Sequence, residues 1–194
     1  MKLPYYRYEE IKYEVVSLFD KAELKLIPVD VCALAKFLNI KLIKFSELPP
    51  NLIRAALALS NEGGLKFKMV DNQNNENQCI LYNNSHPIGR QRFSILHEIG
   101  HVVLGHKQDS VLADAEADFF AKYAIAPPML IDLIKPSDFM DVANAFGLSK
   151  ECAYNSMNYY DKWSKITTYS EYEYRLIEMF SINLPGGGRV LRVS

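Results

Sequence analysis

Apolar residues recur at Tyr8, Ile11, Val15, Leu18 and Phe19 in a stretch otherwise rich in Glu, Lys and Tyr. Steps of three and four mark one face of an α-helix, so a helix is predicted over 6–22. Val29, Val31, Leu34, Ala35 and Leu38 repeat the pattern, with Pro28 at its opening and Asn39 at its close. At Ile40 the period shortens to two, and "IKLIKF" (40–45) predicts a strand with one buried face. After Pro49-Pro50, "LIRAALAL" (52–59) predicts a short helix. "GGLKFKMV" (63–70) and "CILYNN" (79–84) predict two further strands, with polar "DNQNNENQ" (71–78) as the long tip of a hairpin between them.

The second half reads as helices. One is predicted over 92–104, with Gly105 where a left-handed glycine would end it. A second covers about 109–125 and stops at Pro127-Pro128. Beyond Pro136 the pattern Val142, Ala145, Phe146, then "GLS", then Ala153, Met157, Tyr160 resembles a helix–turn–helix. "EYEYRLIEMF" (171–180) predicts another amphipathic helix, and "LPGGGRVLRVS" (184–194) reads as a flexible tail. The elements describe an α+β fold, mostly helical, with a small β-sheet or hairpin.

Composition narrows the function classes. The chain has 194 residues, 49% of them apolar and 23% charged, an ordinary globular balance. A net charge of −1 argues against a protein whose main task is gripping nucleic-acid backbone. Cys32, Cys79 and Cys152 form no CxxC pair and read as reduced thiols filling apolar space. "MKLPYYRYEE" lacks an apolar targeting core, and no apolar run approaches the ~20 residues of a membrane span, so a soluble cytoplasmic protein is expected.

The chemistry lies in "RFSILHEIGHVVLGH" (92–106), which holds three of the four histidines. His97 and His101 are four apart, about 400° of helical rotation, so both imidazoles share a face one turn apart. That spacing lets both reach one ion at ~2.0–2.1 Å. Glu98 is turned about 100° from His97, beside the ion without being forced onto it. This is the HExxH arrangement of two ligands and a neighbouring base. On the following helix Asp114 and Asp118 are also four apart and share a face. One can ligate while the other hydrogen-bonds a ligand histidine. Glu116 lies between them, on the far side of that helix. Gly100, Ala113, Ala117, Ala121 and Ala124 would let the two helices approach closely. His106 follows His97 by nine residues where the metzincin pattern requires ten, so it reads as a polar residue just past the helix end. Tyr123, Arg90 and Arg92 are the candidate oxyanion donors, each with a structural reading beside it.

"RQRFSILHEIGHVVLGH" followed by "DAEADFFAKYAIAPP" resembles the ImmA/IrrE family of metallopeptidases, over roughly residues 28–160. The resemblance implies a zincin-like metallopeptidase domain over 1–135, with a helical, helix–turn–helix-like subdomain over 136–183 packed on it. It implies zinc bound by His97 and His101, with Glu98 as catalytic base. The family's third ligand is a glutamate whose slot holds Asp114 here, one methylene shorter. Glu116 is the alternative through a different helix rotation, and Asp118 the supporting partner. The resemblance also implies a role: several members of that family, often carried by phages and integrative elements, act as antirepressors that cleave, or cause cleavage of, a helix–turn–helix repressor, and such a repressor is the expected substrate here. The rival expectation is a non-catalytic metal-binding regulator acting by protein–protein contact. Direct DNA binding through 138–161 is disfavoured, because Lys150 is the one obvious phosphate contact of its second helix.

Overall fold

The computed structural model describes residues 2–59, 64–70, 76–108, 110–165 and 168–181. In chain order the elements are α1 (Tyr5–Lys21), α2 (Val31–Phe37), β1 (Ile40–Lys44), a 3-10 turn (Phe45–Glu47), α3 (Pro50–Leu59), β2 (Gly64–Val70), β3 (Glu76–Tyr82), α4 (Ile88–Val103), α5 (Val111–Ile125), α6 (Pro128–Ile134), α7 (Phe139–Phe146), α8 (Lys150–Trp163) and α9 (Glu171–Ser181). The fold is α+β, mostly helical with one small sheet. Contacts divide the chain into two units, residues 1–3 with 31–121 and residues 4–30 with 122–194. The expected boundary at 135/136 falls inside the second unit, and the expected tail at 184–194 lies outside the described residues. No described helix is long and apolar enough to cross a membrane.

In the first unit β3 is the central strand, parallel to β1 and antiparallel to β2. Cys79, Ile80 and Leu81 of β3 are all buried, as a strand covered on both faces requires. One face carries Leu81 in a cluster with Phe45 and with Ala56 of α3, flanked by Ile43, Leu48, Leu65 and Phe67. Residues directly opposite across a ladder share a face. Gly64 with Tyr82 and Lys66 with Ile80 therefore lie on the other face, and α4 packs against β2 and β3. The predicted hairpin is present, but β3 begins at Glu76, three residues before the apolar run. The register pairs Val70 with Glu76, so the backbone ladder extends into the polar tract. Cys79 fills space in the sheet as expected, whereas Cys32 is exposed; among the described residues no disulfide joins the cysteines.

The second unit joins α1 with α6–α9. Ile11, Val15, Val16, Leu18 and Phe19 form the buried stripe of α1, and the Phe19 and Phe180 rings lie 6.2 Å apart. Trp163 Nε1 donates to Glu173 Oε1 at 2.7 Å, and Tyr160 donates to Asp132 Oδ1 at 2.8 Å. In the segment read as helix–turn–helix, a short turn joins α7 to α8. The side chain of Asp138 caps α7, Gly147 turns left-handed at φ 62°, and Ser149 caps α8. Helix α6 is not in the sequence reading, which takes Pro127-Pro128 only as a stop. Pro128 instead occupies the first helical position, where its missing N–H is harmless.

Candidate metal centre

Helix α4 starts at Ile88, four residues earlier than predicted, directly after the extended Pro87. From Arg92 to His101 every residue is buried. Gly100 is what permits this depth. A Cβ there would stand 3.0 Å from Cδ1 and 3.1 Å from Cβ of Phe120 on α5, closer than packed atoms sit. Ala113, Ala117, Ala121 and Ala124 are buried as well, in keeping with the small-residue pattern.

That close crossing brings a carboxylate to the two imidazoles. His101 Nε2 lies 3.2 Å from His97 Nε2 and 3.5 Å from Asp114 Oδ1. One ligand atom from each of His97, His101 and Asp114 falls within 4.8 Å of the other two. Atoms at ~2.0–2.1 Å from a tetrahedral ion are separated by about 3.3–3.4 Å. The two separations at His101 Nε2 therefore fit a shared ion, and two imidazoles with a carboxylate are a donor set for a borderline divalent metal. Burial pushes the His101 imidazole down to about 3, with the Lys66 charge and the His97 and His106 rings adding to the effect. The ring is thus neutral at pH 7, the form that ligates.

Glu98 is held from the sheet. The backbone N–H of Lys66 on edge strand β2 donates to Glu98 Oε2 at 3.1 Å. Gly64, two residues earlier on the same face, makes room. A Cβ there would stand 3.1 Å from Glu98 Cγ and 3.3 Å from both Glu98 Oε1 and the Ser94 carbonyl oxygen. The carboxylate is therefore fixed by strand backbone.

The end of α4 holds what the sequence reading missed. Gly105 turns left-handed at φ 70°. Its N–H donates to the Val102 carbonyl at 3.1 Å, and that of His106 donates to the His101 carbonyl at 3.0 Å. This is a Schellman ending. It returns His106 beside His101, with the two Nδ1 atoms 3.0 Å apart. His106 Nε2 in turn lies 2.9 Å from Glu116 Oε2. Glu116 was expected on the far side of α5. It is buried against His106, beyond the end of α4, and is not part of the His97–His101–Asp114 cluster. Recognising Gly105 as a helix-ending glycine contained the signal, since that motif pairs the residue after the glycine with the one four before it. Asp118 stands half-buried one turn after Asp114; the back of His101, where it could have served, is taken by His106. Of the oxyanion candidates, Tyr123 is buried with its hydroxyl on Met129 Sδ at 3.6 Å. Arg90 lies over the Phe93 ring at 5.6 Å, and Arg92 is buried.

Compared with known proteins, the chain matches Peptidase_M78, the IrrE N-terminal-like domain, over residues 51–158, more than half its length. The chain belongs to this peptidase family. The M78 match runs from α3 into α8 and so takes in β2, β3, α4, α5 and every residue of the cluster. Membership in M78 implies metallopeptidase activity, and His97, His101 and Asp114 form a cluster able to hold a metal ion. No curated protein and no solved structure matches this M78 chain.

Proposed function

We propose that this M78 peptidase is a zinc-dependent endopeptidase of the cytoplasm that hydrolyses a peptide bond in a protein substrate. His97, His101 and Asp114 would hold the ion as its protein ligands. The observation that carries the reading is the meeting of those three side chains beside a carboxylate, Glu98, which strand backbone holds in place. Zinc in such a site supplies Lewis acidity to the scissile carbonyl and lowers the pKa of water to about 7. Glu98 takes the proton of the attacking water and returns it to the departing amine nitrogen. Its hydrogen bond from the Lys66 N–H keeps one oxygen oriented while the other exchanges the proton. Asp118 remains a candidate support for the ligand histidines through its place on α5.

The resemblance to ImmA/IrrE antirepressors supports a substrate class: a helix–turn–helix repressor of the same phage or mobile element. The exposed face of α8 bears Glu151, Tyr154, Asn155, Asp161 and Lys162 as well as Lys150. Its mixed charge favours a packing or substrate-docking role over a phosphate contact.

The test co-expresses the chain, or its Glu98→Gln variant, with the repressor encoded beside its gene. Wild type is expected to cut the repressor into two fragments. Glu98→Gln is expected to retain stoichiometric zinc and leave the repressor whole. A variant that still cuts removes Glu98 from the base role. A wild type that binds the repressor tightly without cutting it replaces the enzyme with the metal-dependent regulator.

A further inference from the structure

His106 and Glu116 sit behind the proposed ligand set, and neither is used by the mechanism above. We infer that they are positioning residues for His101, forming a hydrogen-bond chain that points its Nε2 lone pair at the metal. The inference rests on the metal-centre reading and adds to it the direction of every proton in the chain.

The direction follows from one end. An ionised carboxylate can only accept, so the proton between Glu116 Oε2 and His106 Nε2, 2.9 Å apart, belongs to His106. A neutral His106 protonated at Nε2 has a bare Nδ1. That atom stands 3.0 Å from His101 Nδ1 and must accept from it. His101 then carries its proton on Nδ1, which leaves Nε2 bare, facing His97 Nε2 and Asp114 Oδ1. With a single proton on each ring, each step follows from the one before. Without Glu116, His106 is free to adopt the other tautomer and donate to His101. His101 Nε2 would then hold the proton where an ion should bind.

The surroundings hold the chain in place. The His106 and Glu116 side chains are 10% and 9% exposed, so water does not readily substitute for the carboxylate. The Schellman turn fixes the His106 backbone from one side. Lys66 Nζ reaches the His106 carbonyl oxygen at 3.4 Å from the other. A ligand histidine usually donates directly to a carboxylate or carbonyl; here an imidazole is interposed.

Two measurements test this on the full chain. In metal-free wild type at pH 7, long-range nitrogen–proton NMR should show His101 protonated at Nδ1 and His106 at Nε2. Zinc affinity, measured by competition with a chelator, should fall about 10–100-fold in His106→Phe and in Glu116→Leu. The double variant should lose no more than either single one. Glu116→Gln keeps an acceptor oxygen and should bind close to wild type. A proton on His101 Nε2 overturns the inference, as does wild-type affinity in both apolar variants. The NMR arm needs no variant, so a misfolded His106→Phe does not shelter it. A wild type that binds no zinc brings down the metal centre and this inference together, whereas bound zinc with indifferent variants brings down this inference alone.

Discussion

The two nitrogens of His101 face opposite ways, Nε2 toward His97 and Asp114 and Nδ1 toward His106. Its depressed pKa makes a prediction for the metal-free protein. Unfolded, the imidazole titrates near 6.5; folded, burial and the neighbouring charges hold it down to about 3. Between those values the unfolded chain binds a proton that the native one refuses. His101 thus contributes to stability above pH 6.5, and its contribution is lost as the pH falls toward 3. The urea midpoint of metal-free protein should drop more steeply from pH 7 to pH 5 in wild type than in His101→Phe. Equal slopes would contradict the shift. At this scale the sequence was informative wherever one helix fixed the geometry. The four-residue interval puts His97 and His101 together, and the interval from Asp114 to Asp118 singles out a face of α5. His106 does lie just past the helix end and outside the cluster, but comparing its distance from His97 with a ligand pattern says nothing of its contact with His101. Its distance from the helix end decides where it goes.

Helices α4 and α5 meet where Gly100 touches Phe120, and their separation decides whether Asp114 reaches the two imidazoles. Gly100→Ala should destabilise the protein by about 1–3 kcal/mol through overpacking. It should also weaken zinc binding, because the carboxylate and the imidazoles stand on the two helices being pushed apart. Urea melts and chelator competition report these separately; an unchanged value in both would show that the crossing has slack. The helices and the hairpin were readable from period alone. Their ends were less so. Strand β3 runs into the asparagine tract because ladder hydrogen bonds are indifferent to side-chain polarity. Helix α4 extends back to Ile88 because Pro87 presets its start, before any apolar periodicity appears. Helix α6 was hidden by reading a proline pair as a terminator, though the second proline suits a first helical position.

Across the whole molecule, His97, Glu98, His101, His106, Asp114 and Glu116 all belong to the first unit. Zinc should therefore slow amide exchange chiefly in α4 and in residues 111–121, with little change in α7 and α8. Equal protection in both sets of segments would contradict a metal held by these residues alone. Assembly at this scale was the least legible. Residues 4–30 join residues 122–194 through Glu9 with Tyr172 and through Asp20 with Arg175, pairs 163 and 155 positions apart. No local period carries that information. The turn at Gly105 also has a consequence for what lengths this segment can take. Many surface connections absorb an inserted residue by bulging outward. The stretch from His101 to His106 has no such slack, because it is a gauge cut by the geometry of a stopping helix. One residue more would swing one ring about 100° from the other, so the spelling H-x-x-x-G-H should tolerate changes of side chain at its middle positions far better than any change of count.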